Sequence, residues 1–147
     1  MKVTLSVDST ESIEIGYSDL ALIVSWLDDE PRNLAFLSVL AAHPASEVRC
    51  AAAGKSCLPA ELLGKLALDE SIEVVRGVAC NETALRLFDQ HQFQAMIERD
   101  VSVASDLANN LSMVNETSLD SLILSLLKHP DPKVADAVDF ESNRWAD

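Results

Sequence analysis

Much is scarce in this 147-residue chain. There are four glycines. They form no G-x-G-x-x-G turn and no phosphate-cradling Gly-Lys-Ser loop, and there is no G-x-S-x-G elbow. Aromatic residues are 5% of the chain, which argues for an aliphatic core of packed helices over an aromatic-rich sandwich. The three cysteines, Cys50, Cys57 and Cys80, include no C-x-x-C pair, so a zinc site is not indicated. An odd, small number of thiols fits a reducing compartment. Bases are outnumbered 11 to 24 by acids, and the net charge of −13 opposes a phosphate backbone as partner. The longest apolar run, around Leu20 to Leu27, falls far short of a membrane span. Met1 to Val7 carries no signal-peptide pattern. A cytoplasmic chain that binds neither membrane nor nucleic acid is expected.

What the chain does have is a recurring phrase. Val48, Val74, Val103 and Val134 align in one column, at spacings of 26, 29 and 31 residues. Three positions earlier stand Ala45, Ser71, Asp100 and Asp131. Four positions later stand Ala52, Val78, Leu107 and Val138. The next column reads Ala53, Ala79, Ala108 and Asp139. Such a period predicts helical units that bury their faces against their neighbours. The alanine column lets helix backbones approach closely. Asp139 breaks it, as expected of a terminal helix with a polar outer face.

The first seventeen residues differ. Val3, Leu5 and Val7 alternate with polar residues, as do Ile13, Ile15 and Tyr17, across a polar stretch from Asp8 to Glu11. This predicts a β-hairpin over 1–17 that caps a helical domain over 18–147. Helical spacing begins at Ser18, a good N-cap, and Leu20, Ile23, Val24 and Leu27 share a face. Asn33 is placed to cap the next helix, which His43-Pro44 ends. Pro59 is expected at the first position of a helix carrying Leu62, Leu63 and Leu66. Residues 82 to 99 form a longer, irregular stretch. Thr117 and Asp120 suggest a capping box, and Asp131-Pro132 an N-cap followed by the first helical residue.

The run Val48-Arg49, Ala51-Ala52-Ala53, Pro59, Leu62-Leu63, Leu66-Ala67 resembles the leucine-rich repeat variant family, which is close to HEAT-like repeats. His129-Pro130-Asp131-Pro132-Lys133-Val134 repeats its opening, and the resemblance covers roughly residues 32 to 143. It implies an all-α, right-handed α-α superhelix, a HEAT-like or leucine-rich-variant solenoid, offering an extended curved surface to another macromolecule. One member of that family carries an iron–sulfur module on cysteines ahead of the repeats. Here none precedes Cys50, so no cofactor is carried over. HEAT-like folds also include phycobilin lyases and alkylpurine-type DNA glycosylases. The second needs a basic concave face, which the acidity argues against.

No catalytic residues are indicated. His43 and His129 occupy one recurring position, before proline at a helix end, where a cationic ring could meet the terminal carbonyls. The remaining constellation is acidic. Asp28, Asp29 and Glu30, then Asp69, Glu70 and Glu73, fall at inter-helix turns that would stack into a ridge along one edge. Trp145 stands in a polar tail, as a lid or as an exposed anchor. Together these predict a non-enzymatic protein-binding module with a basic protein partner. A sharper form is a small acidic inhibitor or immunity protein for a basic toxin or nuclease.

Overall fold

A computed structural model describes residues 3–7 and 11–144. Trp145 lies outside the described residues. Strands β1 (Val3–Val7) and β2 (Glu11–Ile15) pair antiparallel, with Val3 opposite Ile15 and Leu5 opposite Ile13. Ten α-helices follow among the described residues: α1 (Tyr17–Trp26), α2 (Leu34–Leu40), α3 (Ser46–Ala53), α4 (Ala60–Leu66), α5 (Ile72–Ala79), α6 (Glu82–Leu87), α7 (Gln90–Ile97), α8 (Val101–Asn109), α9 (Glu116–Leu127) and α10 (Pro132–Arg144). Short 3₁₀ turns at Pro31–Asn33 and Leu111–Met113 complete the set. No helix among the described residues is long and apolar enough to cross a membrane.

The helices pack in two rows. In the first, α1 meets α3, α3 meets α5, α5 meets α8 and α8 meets α10. In the second, α2 rests on α3, α4 on α3, α5 and α6, α7 on α8 and α9, and α9 on α8 and α10. The aligned valines explain the first row. Val48, Val74, Val103 and Val134 are each 0% exposed. Burying one valine completely contributes about 1.5–3 kcal/mol. Ala53, Ala79 and Ala108 are as deeply buried and keep the row tight. At Gly77 of α5 a Cβ would lie 3.2 Å from the Cβ of Ala53 and 3.4 Å from the Cys50 carbonyl oxygen. The small column is therefore a packing requirement between α3 and α5.

Polar links follow the same spacing. Helix ends leave carbonyls without partners, and donors from the next unit reach back to them. Lys55 Nζ donates to the carbonyls of Ser25 (2.9 Å) and Leu27 (2.6 Å) at the end of α1. Asn81 Nδ2 donates to those of Ala53 (2.8 Å) and Lys55 (3.1 Å). Asn115 Nδ2 donates to those of Phe88 (3.0 Å) and Leu85 (3.4 Å). These bonds span 26 to 30 residues of sequence. The polar links thus repeat in step with the apolar columns.

Several local expectations are corrected. α1 begins at Tyr17 with Gly16 as its cap residue, so Ser18 is already helical. Asn33 stands at the N-cap position of α2 but makes no side-chain cap bond; its amide donates back to the Asp28 carbonyl at 2.8 Å. Pro59 is the N-cap of α4, one position earlier than expected. Asn115, not Thr117, caps α9 by accepting from the Ser118 N–H at 3.0 Å. The irregular stretch after Glu82 is two helices, α6 and α7. A capping box at Asp89 and Gln92 starts the second of them. Asp131 does behave as expected, accepting from the Lys133 N–H at 2.9 Å. Ile23, placed on one face with Leu20 and Val24 by its spacing, is 40% exposed.

Candidate functional site

The acids of the expected ridge divide into two kinds. Asp29, in the turn after α1, is exposed but bonded within the fold. Its carboxylate accepts from the Ser56 N–H at 2.6 Å and the Cys57 N–H at 2.7 Å, tying that turn to the next unit. Partial burial alone would raise its carboxyl, but the bonds from Cys57 and Ser56 outweigh it and hold the group below the usual range. Its neighbours face solvent. Asp28 and Glu30 both engage the Arg32 guanidinium, at 3.0 Å and 3.1 Å, with exposed side chains. Exposed pairs of this kind contribute little to stability.

Asp69 is also a structural acid. Arg49 of α3 meets it through two bonds of 2.7 Å and 2.8 Å, and both side chains are only 10% exposed. The remaining donor, Nη1, bonds the carbonyls of His43 and Pro44, each at 2.9 Å. Burial would raise the Asp69 carboxyl. Arg49 and the Ser71 N–H reverse this and hold it below its ordinary value. Arg49 thus fastens two consecutive loops. Glu70 projects into solvent, 3.6 Å from Arg49 at its nearest. Glu73 accepts from the Ser71 hydroxyl at 2.9 Å. Of the seven residues singled out by sequence, Asp28, Glu30, Glu70 and Glu73 present exposed acids, Asp29 and Asp69 hold turns, and Trp145 is not described.

The histidines work differently from expectation. His43 Nδ1 accepts from the Ala45 N–H at 3.1 Å, and His129 Nδ1 accepts from the Asp131 N–H at the same distance. Each ring closes its turn through Nδ1 as an acceptor from a backbone N–H. His43 is buried, with the Tyr17 ring packed edge-on at 5.2 Å between centroids.

Sequence reasoning missed Lys55, Asn81 and Asn115 as anchors. A signal for the two asparagines was present: Asn81-Glu82-Thr83 and Asn115-Glu116-Thr117 are the same tripeptide. In both, the side-chain oxygen caps the following helix while the nitrogen reaches back one unit. Both also match the N-x-[ST] acceptor pattern for glycosylation, but each amide nitrogen is occupied in a pair of internal bonds. Lys55 carries no comparable signal, because a lysine after a helix end ordinarily reads as a solvated charge.

Two open grooves lie between helices. One, of about 530 Å³, runs between α4 and α7 past Ala60, Gly64, Leu68 and Ala95. The other, of about 470 Å³, includes Glu98, Asp100, Lys128 and His129. In the second, Asp100 already accepts from the Ser102 amide and hydroxyl, and His129 is bonded as above. The thiols are not activated: burial raises Cys50 and Cys80, and burial together with Asp29 pushes Cys57 up to about 11. Among the described residues no group of His, Cys, Asp and Glu is arranged to hold a metal ion. What the surface does offer is apolar. On α1, Leu22, Ile23 and Trp26 are exposed, Trp26 the most of any large apolar residue described. Compared with models of known protein families, with curated proteins and with solved structures, the chain finds no match.

Proposed function

We propose that this chain is a non-enzymatic protein-binding module of the helical-repeat kind. It would be a right-handed α-α superhelix akin to HEAT-like and leucine-rich-variant repeats, with a curved acidic surface that holds a basic protein partner in the cytoplasm. One observation carries this reading. The helices of the first row touch in strict succession, α1 to α3 to α5 to α8 to α10, so long faces of the stack stay available to a partner. The charge of −13 supports the choice of a basic partner. The exposed acids Asp28, Glu30, Glu70 and Glu73 are where it would be met. Strong acidity favours the sharper form, an inhibitor or immunity protein for a basic toxin or nuclease.

The test is capture from a host lysate at low salt, followed by measurement of association and dissociation rates with the purified partner. Binding should weaken steeply with salt, mainly through slower association. A partner whose affinity does not respond to salt, or one that is acidic, would refute the reading.

A further inference from the structure

Among the described residues, helix α1 has a neighbour in its row on one side only. Leu20 and Val24 turn toward α3 and are buried. On the opposite side Leu22, Ile23 and Trp26 are 51%, 40% and 78% exposed. Their i, i+1, i+4 spacing makes one continuous stripe. Single apolar residues on a surface are ordinary, whereas a stripe ending in a tryptophan is the composition of an interface centre.

Charge surrounds the stripe. Asp19 lies one turn before Ile23 on the same face, and Asp28, Asp29 and Glu30 follow the end of the helix. Against these four acids stand Arg32, already paired with Asp28 and Glu30, and the buried Lys55 beneath the helix end. The rim is net negative, and so is the whole chain at −13. A second copy is a poor occupant: a two-fold contact would set one acidic rim against another. An anionic membrane surface would be repelled in the same way.

We infer that the outer face of α1 docks a cationic amphipathic helix of a partner protein. The partner's apolar side covers Leu22, Ile23 and Trp26, and its lysines or arginines meet Asp19, Asp28 and Glu30. This rests on the protein-binding reading above and assigns it a face and a class of ligand. Helix-in-groove and helix-on-helix recognition likewise join apolar residues that share one helix face, as Leu22, Ile23 and Trp26 do.

The experiment uses the full chain with Trp145→Phe, so that Trp26 alone reports. The probe is a synthetic helix of about five turns with leucines on one face and lysines on the other. Controls are the same composition scrambled, a leucine–glutamate counterpart, anionic phosphatidylglycerol vesicles, and the protein alone over a concentration series. The lysine helix should shift Trp26 emission to the blue, with affinity falling roughly tenfold or more between low and near-physiological salt. Leu22→Ser with Ile23→Ser should weaken it by about tenfold or more, while circular dichroism stays unchanged because both sites are exposed. Asp19→Asn, Asp28→Asn and Glu30→Gln together should flatten the salt dependence.

Equal binding of the scrambled peptide, indifference to the Leu22/Ile23 pair, or no binding of the lysine helix would each overturn the inference. So would a Trp26 shift produced by vesicles, or by concentration of the protein alone. If a basic partner is captured but ignores the Leu22/Ile23 variant, this surface is wrong and the protein-binding reading stands. If its binding is also insensitive to salt, both fall.

Discussion

Arg49 offers the sharpest perturbation of the fold. Replacing it with Met keeps much of the packing volume but removes five donors, leaving the nearly buried Asp69 carboxylate with the Ser71 N–H as its principal remaining partner. It also strips the His43 and Pro44 carbonyls of their donor. Breaking a buried ion pair from one side costs about 3–5 kcal/mol, because the surviving charge stays desolvated. For a chain of this size each kcal/mol moves the unfolding midpoint by about 2–4 °C, so a drop of about 10 °C is expected. Urea unfolding of Arg49→Met, Asp69→Asn and the double variant forms the test, with the double costing less than the sum of the singles. The pH dependence adds a second check. Asp69 titrates lower in the folded state than in the unfolded chain. Its contribution is therefore full above the unfolded value, near 4, and is lost as pH falls through the folded value. The gap between wild type and Arg49→Met should close on acidification from about pH 4 downward. A cost under about 1 kcal/mol, strict additivity, or a gap that ignores pH would refute the assignment.

Three further outcomes are expected. Gly77→Leu should destabilise by about 2 kcal/mol by overpacking α3 against α5, whereas Gly54→Ala should be tolerated, since its Cβ would meet only the Ala51 oxygen at 3.9 Å; thermal melts distinguish them. Asn81→Ala should cost about 2 kcal/mol, combining a lost cap with orphaned buried carbonyls, and Asn81→Asp should recover the cap alone, as denaturant midpoints will report. Cys57, with its thiol pushed up to about 11, should alkylate about a hundredfold slower than a free cysteine near neutral pH. Asp29→Asn should speed that reaction, and mass-resolved labelling rates will check both.

The columns of Val48, Val74, Val103 and Val134 and of Ala53, Ala79 and Ala108 were legible because burial leaves a periodic signature that survives local irregularity. Asp131-Pro132 was legible because a cap needs only its own next residues. Ser18 and Thr117 were misread because several polar residues near each helix start are chemically equivalent as caps. The three-dimensional course of the turn chooses among them. The tripeptide at Asn81 and Asn115 was readable in principle, yet its second function, the reach back to an earlier unit, is not a local property.

The acids mark the division most clearly. Sequence alone determined that the chain is strongly anionic and aliphatic in its core, since charge and apolar content are counted along the chain. Which carboxylates remain free for a partner was decided only by packing. Asp69 and Asp28 look alike in sequence, but one meets a buried guanidinium brought from twenty residues away while the other stays in water. Likewise Leu20 and Leu22 are equally apolar, and only the presence of α3 on one side of α1, with no row neighbour among the described residues on the other, makes the first core and the second surface.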